Sequence, residues 1–267
     1  MAVNVAALRS QIETALAGRV PAPFTYRRVR VETTPFNIPE IDKLTGGLPQ
    51  GSLTEISGPF SSGRAAVLLS ALASRTAHAH VCALVDGRDT FDPNSAEAAG
   101  VKLEQLLWVR CRNIDQCLQA TDLLLQGGGF GLIAVDLSIL PPKTVRYVPL
   151  NVWFRFRRAV ENTSTILLLL DQEANAGSCA SLVLRLGLGC SRWAALPAQR
   201  TFSPANSCAC LFDGSQVQVE LARSRRNSAI GSHKVQSFGR MNETSLVTNF
   251  RTKAKWSDFR EKSIETK

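Results

Sequence analysis

The most constraining stretch of the chain is Glu55-Ile56-Ser57-Gly58-Pro59-Phe60-Ser61-Ser62-Gly63-Arg64-Ala65-Ala66. A β-leaning run enters a loop that opens and closes on glycine, and a helix-forming run leaves it. This is the layout of a phosphate-binding loop, G-x-x-x-x-G-K-[ST]. In that motif backbone N–H groups wrap a phosphate, the Lys reaches the outer phosphates and the hydroxyl ligates Mg²⁺. Gly58 and Gly63 stand at the required spacing, and Pro59, Ser61 and Ser62 fill the loop. The Lys place holds Arg64 and the hydroxyl place holds Ala65. Two readings follow: the glycines only shape a turn, or the loop still takes a phosphate, with Arg64 as a bulkier, forked ligand.

The residues around this loop repeat one pattern. Val81 to Asp86 is an apolar run closed by an acid, which marks a buried parallel strand. Asp86 to Pro93 reads as a loop, and Leu106 to Cys111 as a second buried strand. Asn113 and Gln116 are spaced as a helix cap and its partner, and Gly127-Gly128-Gly129 ends that helix. Leu132 to Asp136 is again apolar and closed by an acid; after a phosphate loop this is the Walker B pattern, whose Asp holds Mg²⁺. Asn151 to Glu161 reads as a helix that interleaves Arg155, Arg157 and Arg158 with Trp153, Phe154 and Phe156. That helix is either amphipathic with a solvated basic face or a partner-binding face, since Arg and aromatic residues are favoured in binding hot spots. Thr165 to Leu170 is a further buried strand ending in Asp171-Gln172. Ser181 to Leu186, Cys208 to Phe212 and Gln216 to Ala222 read as closing strands, the last two joined by a hairpin turn at Asp213-Gly214. Strands that alternate with helices predict an α/β core with a mainly parallel sheet covered on both faces.

Composition sets the rest. Residues 5–17 predict an amphipathic helix carrying Leu8, Ile12 and Leu16, followed by a Pro-containing extended link. The expected organisation is an N-terminal helix and linker (1–40), a core (41–226) and a basic, flexible tail (227–267). The formal charge is +9. Between Arg223 and Lys267 eleven Lys and Arg stand against four Asp and Glu, a net of +7. Such an end suits nucleic acid or an acidic partner, or is simply a solvated tail. Seven cysteines and three histidines without metal-ligand spacing predict reduced thiols and no Cys/His metal site. The absence of a long apolar run or a signal pattern predicts a cytoplasmic protein without a membrane span.

From about Ile41 to Asn227 the chain resembles the RecA recombinase core. The resemblance rests on Gly46-Gly47-Leu48-Pro49, Glu55-Ile56, the loop Gly58 to Gly63, Cys82-Ala83-Leu84-Val85-Asp86, Phe91-Asp92-Pro93, Ala99-Gly100-Val101, Leu106-Leu107, Asp136 and Gln172. It implies ATP as cofactor, single-stranded DNA and self-association. It assigns Asp136 to the Mg²⁺ side, Gln172 to nucleotide sensing and Asp92 to the adenine edge. It places Arg223 and Arg225 where the family has two Lys that reach a neighbouring subunit's nucleotide, with Arg226 beside them in the basic run.

The departures point away from an ATP-driven recombinase. Besides Arg64 and Ala65, the family's water-activating carboxylate is replaced by Arg88, and the adenine-stacking aromatic by Ser95. Asp89 is one residue over, and on extended chain that points elsewhere. The loops after Asp136 and Gln172, which carry DNA in the recombinase, are short. An eroded ATP site with short loops is similar to the ImuA family, accessory proteins of the bacterial translesion-synthesis mutasome. That second resemblance implies induction by DNA damage in the SOS response and partnership with a polymerase-like ImuB-type protein and an error-prone polymerase. It also implies weak ATP binding without catalytic residues. An ATP-dependent recombinase and a structural relic whose loop only shapes the fold remain the alternatives.

Overall fold

The computed structural model describes residues 32–195, 210–225 and 247–253. The predicted helix at 5–17, Arg226 and the greater part of the basic tail lie outside them. All described residues belong to one compact unit, Glu32–Lys267.

A short antiparallel pair, β1 (Thr33–Thr34) and β2 (Leu48–Pro49), brackets helix α1 (Pro39–Thr45). Among the described residues the main sheet has nine strands. Its parallel part comprises β3 (Ser52–Ser57), β4 (Cys82–Asp86), β5 (Leu106–Arg110), β6 (Leu132–Asp136), β7 (Ile166–Asp171) and β8 (Leu182–Leu186). An antiparallel flank adds β9 (Cys190–Ala195), β10 (Cys210–Ser224) and β11 (Val247–Lys253). The spatial order is β11-β10-β8-β3-β7-β6-β4-β5, with β9 paired to β10. The intervening helices are α2 (Arg64–Ala77), α3 (Pro93–Ala98), α4 (Ile114–Gly127), α5 (Pro142–Arg146) and α6 (Leu150–Val160).

The apolar runs explain the layering. In β7, Ile166, Leu168 and Leu170 join one buried cluster with Val67 and Leu72 of α2, while Leu167 and Leu169 join another with Trp153 and Phe156 of α6. Alternate residues of a strand face opposite sides, so a run apolar at every position demands cover on both. Asn113 caps α4 by accepting the Gln116 N–H at 2.9 Å, as the spacing predicts, while Gln116 Oε1 accepts the Arg112 N–H at 2.9 Å, one residue before the cap. Gly128 follows the last turn.

Three expectations are corrected. Among the described residues the strand at 106–110 is the outer edge of the sheet, paired with β4 alone, and it is only partly buried, with Leu107 exposed. No hairpin forms at Asp213-Gly214: β10 runs unbroken through it. Pairing with β9 shifts register between Phe212 and Gly214, so the extra residue is absorbed as a bulge rather than a turn. Within the stretch expected to be a flexible tail, Val247–Lys253 adds β11 to β10. β9 has no counterpart in the sequence reading.

Among the described residues no helix is long and apolar enough to cross a membrane. Cys82, Cys111, Cys117 and Cys179 are buried free thiols, and Cys190 is an exposed one.

Candidate nucleotide site

The parallel strands all end at one edge of the sheet, where β3 passes into the glycine loop. Gly58 has no room for a side chain: a Cβ would sit 2.5 Å from the Leu186 carbonyl oxygen and 2.7 Å from Ser62 Oγ. Its N–H donates to the Asp171 carbonyl at 3.2 Å, which fastens the loop to β7. Gly63 turns the chain into α2 at φ 82°, the left-handed region that glycine adopts freely. No side chain caps α2, so its first N–H groups face the hollow in front of the loop.

That hollow is a cavity of ≈ 580 Å³, within the range of small-molecule sites. Ser61, Ser62, Gly63, Arg64 and Ala65 form its base, Asp136 and Ser138 one wall, and Phe91, Asp92 and Ser95 another. Ser215 and Val217 of β10 close the remaining side. Gly58, Pro59 and Gln172 do not line it. Of the residues singled out from sequence, the fold therefore gathers the loop, Asp92 and Asp136 around one space.

Arg64 is 7 % exposed, and its Nη1 is buried without a partner. Burial pulls the guanidinium below its ordinary range, while Asp136 and Asp171 pull it back up. Its carbon lies 5.9 Å from the centre of the Phe60 ring. Ser62 Oγ is likewise buried and unpartnered. A positively charged group and a hydroxyl, both short of acceptors beside an uncapped helix start, form a cradle for an anion.

The acids differ from one another. Burial raises Asp136, with Ser138 and Arg64 opposing it; the Ser138 N–H donates to it at 2.9 Å. Burial raises Asp171 to about 6, against hydrogen bonds from Asn175 and the Gln172 N–H and the charge of Arg64. Asp92 spends its carboxylate capping α3, accepting from the Ser95 N–H at 3.0 Å and from Ser95 Oγ, and the Ser95 bond lowers it.

Arg88 and Asp89 do not face this cavity. Both line a neighbouring hollow with Arg110 and Arg112. Asp89 is held there by a forked pair with Arg110, whose Nε donates at 2.6 Å. Arg110 in turn stacks 4.9 Å over Trp108. Neither residue therefore lines the nucleotide cavity.

Gln172 bridges two loops, its Nε2 donating to the carbonyls of Ser138 at 2.8 Å and Leu140 at 3.5 Å. The short segment behind it is pinned from several sides. Glu55 Oε1 accepts the N–H groups of Asn175 at 2.6 Å and Ala176 at 2.8 Å. Arg223 donates to the Gly177 carbonyl and Arg225 to that of Ser178. On α6, Arg155 pairs with Asp122 at 3.1 Å and Arg157 with Glu161 at 2.9 Å, while Arg158 is exposed near exposed Phe154.

Sequence reading missed Phe91 and β10 as parts of the site, and Asp171 as a charge acting on Arg64. Phe91 is the aromatic of the wall, set at 5.3 Å edge-on to Trp108. An aromatic next to Asp92 was visible, but its direction depends on how the loop folds. Asp171 gave no signal beyond closing a strand.

The fit of a nucleotide and of its usual metal separate here. The uncapped helix, the tight glycine and the orphaned Nη1 fit a phosphate group. A magnesium ion fits poorly: position 65 supplies no side-chain hydroxyl, and Arg64 brings a positive charge beside Asp136.

Residues 26–145 match the RecA N-terminal domain family. Over 99 residues the chain is 40% identical to Protein RecA of Cutibacterium acnes, covering 37% of this chain and 28% of that protein. The same values hold for Protein RecA of C. acnes strain DSM 16379 / KPA171202. The chain thus spans little more than a quarter of the curated relatives it matches. Among solved structures, that of the RadB recombinase superposes with a TM-score of 0.51 at 16% identity, covering 71% of this chain and 89% of RadB. The fold is RecA-like, an α/β core on a mainly parallel sheet.

Proposed function

We propose that this chain is a RecA-like accessory protein of DNA repair that holds a nucleotide without hydrolysing it. It acts through contacts with protein and DNA. In this reading it serves translesion synthesis after DNA damage, in the cytoplasm, beside a polymerase-like ImuB-type protein and an error-prone polymerase. The observation that carries it is the direction of the loop after β4. Arg88 lines the neighbouring hollow, and Asp89 is locked to Arg110 there. A base positioned on the attacking water is typically worth about 10²–10⁴-fold, and of the cavity's own acids Asp86 and Asp92 are engaged by their loops while Asp136 faces Arg64. ATP, held by the loop from Gly58 to Ala65 and flanked by Asp92 and Asp136, would then stabilise the fold rather than drive it.

The partner surfaces follow from charge. Arg158, with Arg155 and Arg157, lies on α6 beside exposed Leu150 and Phe154. Arg223 and Arg225 also hold the segment at 177–178, so a contact to DNA or to another copy of the chain through them and Arg226 would be coupled to that segment. A recombinase reading lacks long DNA-carrying loops as well as the base.

The purified chain is expected to show no ATP hydrolysis above background with or without single-stranded DNA. It is expected to recover a polymerase-like protein in a pull-down from DNA-damaged cells. DNA-stimulated turnover that disappears in Asp136→Ala would refute the non-hydrolytic reading, and recovery of no polymerase-like protein would refute the translesion role.

A further inference from the structure

We infer that the cavity binds nucleoside polyphosphate free of divalent cation, with the Arg64 guanidinium standing as the counter-charge that a magnesium ion supplies in intact phosphate loops. This deepens the nucleotide reading above and rests on it.

Three independent features of the cavity converge. The first is position 65, where Ala replaces the hydroxyl that would ligate the metal, so one protein oxygen is missing from the metal's shell. The second is Arg64, buried and with Nη1 unpartnered at the base of the cavity. A buried cation lacking an acceptor is costly, and a phosphate oxygen would relieve it. The third is the set of acids. Asp86 is consumed by donors from its own loop, the N–H groups of Thr90 and Phe91 both at 2.8 Å. Asp171 is turned to Asn175, whose Nδ2 donates at 2.7 Å. Only Asp136 retains capacity, and its electrostatic partner is already Arg64.

A divalent ion entering this space would meet one available carboxylate, no hydroxyl at position 65 and a fixed positive charge. Magnesium at nucleotide sites keeps several waters and is held by one or two carboxylates and the phosphates, so the lost hydroxyl and the fixed charge beside Asp136, rather than the number of acids, weaken its hold. Guanidinium needs no such shell: its planar fork matches phosphate oxygens directly. A permanent side-chain cation therefore replaces a dissociable one. Occupancy then depends on nucleotide concentration alone and not on free magnesium.

The test uses the full chain and ATP as the probe. Affinity is measured by calorimetry in excess Mg²⁺ and again in EDTA, and thermal midpoints are recorded under the same conditions. The expected result is a dissociation constant that agrees within about twofold, with equal thermal shifts. Binding at least tenfold weaker in EDTA would overturn cation independence and leave nucleotide binding standing. Absence of ATP binding in both conditions would overturn the nucleotide reading and this inference with it. Arg64→Lys with Ala65→Thr restores the two missing chemistries and is expected to make binding at least tenfold Mg²⁺-dependent. A double variant as indifferent to EDTA as the parent would sink the role given to Arg64. Arg64→Ala is expected to weaken ATP at least tenfold in EDTA, and unchanged affinity would sink it equally.

Discussion

Asp86 and Asp136 end adjacent parallel strands and stand opposite one another in register, yet they do different work. Asp86 is buried and accepts from the N–H groups of Arg88, Thr90 and Phe91, the Thr90 hydroxyl at 3.4 Å and Trp108 Nε1 at 3.3 Å. It is the pin around which residues 87–91 fold. The same wrapping sends Arg88 and Asp89 to the outer hollow and Phe91 to the nucleotide cavity. Asp136 takes only Ser138 from its own loop and answers to Arg64 across the cavity. An acid saturated by its own chain is architecture, whereas an acid left with capacity beside an unpaired cation is available to a ligand.

Substitution should separate the two acids widely. Asp86→Ala leaves several part-buried N–H groups without an acceptor, each worth about 1–3 kcal/mol, so chemical denaturation is expected to show a loss of about 3 kcal/mol or more. Asp136→Ala is expected to stay within about 1 kcal/mol, because burial already opposes its ionisation. Equal losses would erase the distinction.

A slightly smaller effect belongs to the third acid at this edge. Asp171 is fully buried, and its carboxyl is pushed up from 3.8 to about 6. The native state therefore keeps a proton that the unfolded chain has already released. That contribution is complete below about pH 4 and is lost as pH rises through about 6, an amount of about 3 kcal/mol. Denaturation midpoints measured from pH 4 to 7 are expected to fall across this window. In Asp171→Asn the fall should shrink to what Glu55, Asp136 and Asp42 add, all of which burial raises in the same direction. A midpoint that climbs through the window in the parent chain would contradict this assignment.

The smallest effect concerns a charged pair outside the core. Arg157 and Glu161 are four residues apart at the end of α6, both partly exposed. Such pairs contribute about 0.3–0.5 kcal/mol, so Glu161→Ala is expected to move stability by no more than about 0.5 kcal/mol. A loss above about 1.5 kcal/mol would show that burial is not what sets these acids apart.

How much was legible in the chain depended on the range of the interactions involved. The glycine loop, the strand ending at Asp136, the caps of α4 and the doubly covered sheet are written in local spacing, because backbone geometry and period-two burial act over a few residues. Arg64 and Ala65 are visible as departures for the same reason. The edge position of β5 was not legible, since an apolar run looks alike with one neighbour or two. The unbroken β10 overrode a local turn signal at Asp213-Gly214 because β8, β9 and β11 all pair along its length. The cavity's far wall, Ser215 and Val217, comes from more than a hundred residues after the loop, and only the sheet order brings it there.

The sequence by itself determined that a phosphate-loop α/β core is present and that its Lys and hydroxyl are gone. Only the tertiary structure decided what the remaining charges do. It turned Arg64 into the cavity and Arg88 out of it, saturated Asp86 and left Asp136 open. Side-chain direction and desolvation are set by neighbours distant in the chain, and residue spacing carries no record of them.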